Sequence, residues 1–531
     1  MSQQGFDYII VGGGSAGCVL ANRLSVDPAC EVLLVEAGGA DNNLLYHWPA
    51  GFAKMTKGIG SWGWSTVPQK HMQGRELWFT QAKVIGGGST INAQIYTRGN
   101  QLDFDTWAQM GCKGWAYDDV LPYFRKAEHN DTFDNETHGV DGPLGVSKPA
   151  APLPIAEAFF KAAQQLGIPF NPDLASANPA GVGYYQVTQH KARRSSTATA
   201  YLKPVRQRKN LTVMLSTMTR RIAVEGNRAV GIVISGSDGR EQTLRAAREV
   251  ILSSGSIGSP KLLMLSGIGP ADHLAALGIK TLHNMPGVGG NLQDHVDICV
   301  ISECTGDHTY DKYTKPHWAA LAGLRYLLTR KGPVASSLFD TGGFWYVDEN
   351  AAAPDMQLHL GMGSGIEAGI SKLKNAGVTL NTAFMRPRSR GTVRLKDAEP
   401  SSHPLIDPNY WADPYDREMS LRGLKLARDI MQQAALKPYV LAERVPGPEV
   451  RSDQQLFDYA CRMAKTDHHP TSTCSMGTGA DSVVGLSLKL HGIAGLRIVD
   501  ASVMPTVVSS NTNATVIMIA EKAADMILES Q

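Results

Sequence analysis

Phe6-Asp7-Tyr8-Ile9-Ile10-Val11, then Gly12-Gly13-Gly14-Ser15-Ala16-Gly17, a helical stretch, Val32-Leu33-Leu34-Val35 and finally Glu36: this run decides the fold. An apolar β run delivers the chain to a tight turn permitted by Gly12. Gly14 lets the backbone approach a pyrophosphate, and Gly17 lets the following helix pack on its strand. The N-terminus of that helix offers unpaired N–H groups and a positive dipole end to phosphates. Glu36, nineteen positions after Gly17, sits where a carboxylate accepts from a ribose 2′-hydroxyl, and an acid there disfavours a 2′-phosphate. The ordered strand, helix, strand and acid imply a bound ADP moiety without distinguishing NAD from FAD.

The 531 residues exceed one compact core, so two or three domains are expected. Hydrophobic content of 43% and charged content of 19% describe an ordinary globular chain. A net charge of +2 and the lack of a basic run give no reason to invoke nucleic acid or an anionic membrane, so the expected partners are small molecules. The first strand starts within about six residues, with no charged and then apolar leader before it, and no apolar span reaches ~18 residues. Neither a secretory signal nor a transmembrane segment is therefore expected. The seven scattered cysteines contain no CxxC pair and read as reduced thiols, neither a disulfide frame nor a zinc site. The expected location is cytoplasmic, with peripheral membrane attachment left open.

Residues 43–81 are rich in Trp, Gly and Pro, show little periodicity and read as a long functional loop. Ala82-Lys83-Val84-Ile85-Gly86-Gly87-Gly88-Ser89-Thr90-Ile91-Asn92 follows, its glycines allowing close backbone approach to a ligand and its polar residues supplying hydrogen bonds. Residues 211–215, 229–234 and 249–252 are short β-type runs, expected to form a small sheet that returns the chain to the nucleotide domain. Residues 255–270 read as a Gly-opened turn, an apolar helix and a Gly stop. From 304 to 462, strand-like pieces (355–360, 391–395) alternate with helical patterns (416–433), as in an inserted α+β domain. A strand at 496–500, a loop and a closing helix at 514–528 return to α/β character. The expected fold is α/β: a discontinuous Rossmann-like domain (1–155, 200–303, 463–531) with an inserted α+β substrate-binding domain (156–199, 304–462).

His468-His469-Pro470 near the C-terminus precedes Asn511 with one strand between them. An imidazole can remove a hydroxyl proton and an amide can orient the same oxygen. A histidine before proline is also an ordinary structural residue. The His–His pair suggests no metal, because neighbouring side chains diverge and nothing completes a ligand set. Together these blocks resemble the glucose–methanol–choline (GMC) oxidoreductases over nearly the whole chain. Residues 82–92 look like the family's first signature and 255–269 match its second. Pro286-Gly287-Val288-Gly289, Asn291-Leu292-Gln293-Asp294-His295, Arg388-Ser389-Arg390-Gly391 and Asp500-Ala501-Ser502-Val503-Met504-Pro505 are further family phrases.

The resemblance implies FAD as the dinucleotide and oxidation of an alcohol by hydride transfer to flavin N5, with electrons passed to a quinone or dye. It places His469 as the base and Asn511 as the second active-site residue. Flavin contacts are implied for Gly12, Gly14, Ser15, Ala16, Gly17, Glu36, Ala37, Val84, Gly87, Gly88, Asn92, Ala93, Thr219, Asp500, Ala501, Asn511 and Thr512. The closing helix would aim its N-terminus at the reduced flavin. Some members attach the flavin covalently through a histidine of the first signature. Ile91 stands there in this chain, so the FAD is expected to be non-covalent. The phrases around 51–55, 311–318, 332–336 and 342–346 look most like FAD-dependent L-sorbose dehydrogenases, which implies oxidation of a primary sugar or polyol hydroxyl. Phe344, Trp345 and His468 then face the substrate, although the two aromatics read equally as core. Alternatives are a polyethylene glycol, aliphatic alcohol or choline dehydrogenase or oxidase, and, in another class, a hydroxynitrile lyase or an inactive binding paralogue. Choline would need an anionic or aromatic cage, and the sequence identifies none.

Overall fold

The computed structural model describes residues 5–235, 240–367 and 371–530. In chain order it begins with β1 (Phe6–Val11), α1 (Ser15–Leu24), β2 (Val32–Val35), β3 (Leu211–Met214), β4 (Thr219–Glu225), β5 (Arg228–Ser235), β6 (Glu241–Leu252) and α2 (Gly255–Leu265). It continues through β7 (Val296–Cys304), α3 (Pro316–Thr329), β8 (Thr341–Trp345), β9 (Met356–Gly361), β10 (Gly377–Phe384), α4 (Pro414–Met431) and β11 (Val440–Val445). It then closes with β12 (Leu496–Ile498) and α5 (Asn513–Glu529).

The first sheet runs β3-β2-β1-β6, with β12 on the far side of β6, all parallel. β2 is wholly buried, as a parallel strand covered on both faces must be. The small sheet expected from residues 211–215, 229–234 and 249–252 is differently composed. β3 is the edge of the nucleotide sheet, and the antiparallel meander is β4, β5 and the first half of β6. β6 serves both. Its charged first half, Glu241 to Arg248, lies largely at the surface, and Val250-Ile251-Leu252 is buried between β1 and β12. A pattern that changes from charged to apolar within one strand shows only its buried end to a periodicity search.

The second sheet is antiparallel, in the order β8-β9-β10-β7-β11, and α4 packs across β10 and β7. Each sheet carries its own apolar core. One pairing joins sheet to site. Asp297 and Val296 of β7 pair with Lys465 and Thr466, Gln293 with Thr471, and Gly289 N–H donates to the Thr473 carbonyl. The family phrase at 291–295 thus runs antiparallel to the segment that carries His468 and His469.

Candidate active site

α1, α2 and α5 all begin at the wall of one cavity of about 330 Å³. Gly14, Ser15 and Ala16 line it at α1, Ser254, Gly255 and Ser256 at α2, and Thr512 and Asn513 at α5. Three positive dipole ends converging on one space suit an anionic occupant. Gly12 has φ +105, and a Cβ there would lie 2.5 Å from the Ser253 carbonyl oxygen, so its role is the turn itself. A Cβ on Gly14 would meet no protein atom closer than 3.8 Å. The space it would enter is the cavity. Thr80 Oγ1, Thr219 Oγ1, Ser253 Oγ and Ser256 Oγ belong to lining residues, are buried and lack a hydrogen-bond partner within the protein. Unpaired buried hydroxyls along a glycine cradle fit a phosphate-bearing dinucleotide.

Glu36 lies here as expected and also locks the loop. Its carboxylate accepts from Gly13 N–H at 2.8 Å and Gly38 N–H at 2.6 Å, while burial raises its pKa. Asp500 accepts from Gly255 N–H at 2.9 Å, Ser259 Oγ at 2.6 Å and Ser502 N–H at 2.8 Å, tying the start of α2 to the 500–505 phrase. Ala37, Gly87, Gly88, Asn92, Ala93, Thr219, Ala501, Asn511 and Thr512 line the cavity. Gly17 and Val84 do not. A Cβ on Gly17 would sit 1.9 Å from the Gly12 carbonyl oxygen, so it acts by letting α1 approach β1. Val84 is buried, and its carbonyl accepts from Gly87 N–H at 2.9 Å. Both shape loops and neither walls the cavity.

At the other end His469 Nε2 is 3.2 Å from Asn511 Nδ2, and His469 Nδ1 is 3.0 Å from His295 Nδ1. The proton positions follow from the ends of this chain. The Met385 carbonyl can only accept, so His295 Nε2–H donates to it at 3.1 Å and His295 Nδ1 is the acceptor. His469 then carries its proton on Nδ1. Asn511 Oδ1 accepts from Gln357 Nε2 at 2.9 Å and Thr97 Oγ1 at 3.1 Å, which leaves Nδ2 toward His469 Nε2. His469 Nε2 is therefore the unprotonated nitrogen and accepts from Asn511 Nδ2–H, with both residues on the cavity wall. Asp294 holds the backbone of the loop, accepting from His469 N–H at 2.8 Å and from Thr466 Oγ1 and the Tyr410 hydroxyl. Burial, together with the neighbouring His295, His359, His468 and Lys465, keeps the His469 pKa well below the usual histidine range, and burial lowers His295 to about 4. Both rings are neutral near pH 7.

His295, Gln357 and Thr97 were not picked out as partners of the pair. Asp294 and His295 were visible only as part of a family phrase, and Gln357 and Thr97 carried no sequence signal. Phe344 and Trp345, expected to face the substrate, do not line the cavity. Phe344 is buried against Tyr185, with ring centroids 6.2 Å apart, and Trp345 packs on Tyr346. The second sheet instead turns Gln357 and His359, two apart on β9, together with Asn381 of β10, toward the site. His468 does line the cavity, with Nδ1 unpartnered.

Beside His469 the wall carries Glu367 and Asp467, with Asp297 and Lys465 behind them. Asp297, Glu367 and Asp467 surround one ammonium: Lys465 Nζ is 2.6 Å from Asp297, 3.2 Å from Glu367 and 4.0 Å from Asp467. Asp297 Oδ1 and Asp467 Oδ2 have no hydrogen-bond partner. Burial pushes Asp297 up to about 7 and Asp467 well above the usual carboxylate range, while burial opposes the Lys465 charge but these acids hold it above the lysine value. Asp297, His359 and Asp467 present ligand atoms within 4.8 Å of one another, with the Lys465 ammonium bonded to Asp297 in the same cluster. The rings of Phe52 and Phe339, 6.0 Å apart, line the cavity next to His359.

Two family models described as GMC oxidoreductase match residues 6–297 and 387–520. The mitochondrial choline dehydrogenase of Mus musculus is 40% identical over 532 residues, covering 98% of this chain and 89% of that protein. The alcohol dehydrogenase (acceptor) of Pseudomonas putida is 40% identical, covering 98% of this chain and 96% of that one. The crystal structure of pyridoxine 4-oxidase from Mesorbium loti superposes with a TM-score of 0.90 at 32% identity, covering 99% of each chain. These relatives are choline and alcohol dehydrogenases and give the sorbose reading no support.

Proposed function

The chain belongs to the GMC oxidoreductase family, and from that premise we propose that it oxidises a small primary alcohol carrying a positive charge, with choline as the type substrate. As a member it is an FAD-dependent oxidoreductase acting on CH–OH groups. The residues around the cavity fit that cofactor. The glycine loop and the three helix starts would hold its phosphates, and Glu36 retains lone pairs for a ribose hydroxyl. Bound FAD supplies the acceptor for the hydride that leaves the carbinol carbon.

In this reading the protein's own groups prepare the hydroxyl. His469 Nε2 takes the proton, and the second N–H of Asn511 Nδ2 donates to the oxygen as negative charge develops. Asp467 Oδ2, 3.4 Å from His469 Nδ1, faces the imidazolium that results. The observation that supports a cationic substrate is the pairing of the Phe52 and Phe339 rings with Glu367 and Asp467 on one cavity wall. Carboxylates and aromatic faces are what a quaternary ammonium requires. The choline dehydrogenases among the relatives agree with it.

The test compares choline with its uncharged isostere, a tert-butyl group replacing the trimethylammonium, by anaerobic bleaching of the flavin. Choline is expected to be favoured by about 10–100-fold in kcat/KM, the worth of ~1.5–3 kcal/mol of desolvated cation recognition. Equal rates would remove the charge from the proposal, and no bleaching by either alcohol would remove the proposed substrate class.

A further inference from the structure

We propose that α3 is a lipid-docking helix that seats the enzyme on an anionic phospholipid surface. The helix is anchored by one side only. Ala322, Gly323 and Tyr326 are buried, the Tyr326 ring meets Trp48 edge-on at 5.7 Å, and its hydroxyl donates to the Ala192 carbonyl at 2.8 Å. The opposite side is exposed and largely apolar, interrupted only by His317 and Arg325. Trp318, Leu321, Leu324 and Leu328 are 40%, 55%, 54% and 76% exposed. At 3.6 residues per turn these four fall within one arc of about 120°, facing away from Tyr326. Four large apolar side chains on one exposed stripe, led by a tryptophan, exceed the scattered singles of an ordinary surface.

The charges around the stripe select the partner. Lys312, Lys315, Arg325 and Lys331 surround it, and none has a carboxylate within ion-pair distance among the described residues. Lys372 Nζ lies 3.0 Å from Thr314 Oγ1 just before the helix. Lys57 lies near Lys372, and burial with the Lys54 and Lys372 charges holds it below the usual lysine range. An apolar stripe with a cationic border is complementary to acyl chains beneath anionic headgroups. The net charge of +2 conceals this local concentration. No helix among the described residues is long and apolar enough to cross a membrane, so the contact is interfacial. Through Trp48 the helix rests on the segment whose Phe52 walls the cavity, so docking would bring that wall close to a lipid-borne electron acceptor.

The experiment is co-sedimentation of the FAD-loaded enzyme with vesicles of phosphatidylcholine alone or mixed with phosphatidylglycerol. The parent enzyme should sediment with the anionic vesicles, and less so as salt is raised. Leu324→Ser with Leu328→Ser should weaken binding by about tenfold or more. Lys315→Glu with Lys331→Glu should do the same. Both variants should keep full turnover with a soluble dye, which shows that they fold. The proposal is overturned if the parent remains in the supernatant with both vesicle types, or if both variants sediment as the parent does. It is also overturned if the serine variant abolishes only a dimer and no vesicle binding exists, which would assign the face to a second copy of the chain.

Discussion

Replacing His295 by Leu tests the proton arrangement that makes His469 a base. His295 Nδ1 is the acceptor for His469 Nδ1–H at 3.0 Å. Leucine removes it and leaves a buried donor unpaired, at a cost of ~1–3 kcal/mol. The imidazole can escape part of that cost by moving its proton to Nε2, the atom that must receive the substrate proton, where it then faces the Asn511 Nδ2 donor. The reactive tautomer is thereby depleted by about 5–150-fold, and the rate of flavin reduction falls by the same factor. Asp467 Oδ2, at 3.4 Å, is a longer alternative acceptor and favours the lower part of that range. The assay is anaerobic rapid mixing of the flavin-loaded variant with substrate, with flavin content and circular dichroism checked against the parent. His295→Gln, whose amide oxygen can accept the same hydrogen bond, should recover most of the loss. A Leu variant that reduces its flavin within about threefold of the parent, or a Gln variant no better than Leu, would falsify the tautomer argument.

Three further outcomes are expected. Replacing His469 by Ala should slow flavin reduction by ~10²–10⁴-fold without loss of flavin, and a fully active variant would remove it as the base. Gly14→Ala places its Cβ in the cavity and not against protein. The apo-protein should therefore keep its thermal midpoint while the flavin-to-protein ratio drops, whereas Gly12→Ala, with Ser253 O 2.5 Å away, should lower the midpoint itself; the reverse pattern would refute the cradle. Burial raises Asp297 to about 7, so negative charge behind the cavity wall is gained as pH rises through that value; the choline KM should fall from pH 6 to pH 8, and a flat KM would detach Asp297 from binding.

The fingerprint was legible because it is local. Gly12, Gly14, Gly17 and Glu36 lie within one βαβ unit, and the turn, the phosphate cradle and the ribose position follow from spacing alone. The first β runs, the apolar helix after Gly255 and the closing helix were legible for the same reason, since their periodicity lies within one element. Ile91 is informative only through the resemblance, because it stands where some family members carry the histidine that links the flavin.

Relations across the chain were settled by tertiary structure. His295 reaches His469 across 174 residues, Gln357 reaches Asn511 across 154, and Thr97 reaches Asn511 across 414. Strand pairing brings them together, and none sits in a spacing that marks it. β3 looked like part of a small sheet because a four-residue apolar run does not state which neighbour it will join. Phe344 and Trp345 read equally as binding surface or core because an aromatic has the same composition in a core as in a pocket. Only the packing on Tyr185 and Tyr346 distinguishes the two. Sequence by itself determined the nucleotide fold and, through the family resemblance, named His469 and Asn511, which the structure brings within 3.2 Å of each other. Tertiary structure decided which histidine nitrogen is unprotonated and gathered Asp297, Glu367 and Asp467 around Lys465, because charge and proton position depend on neighbours that the chain supplies only when it folds.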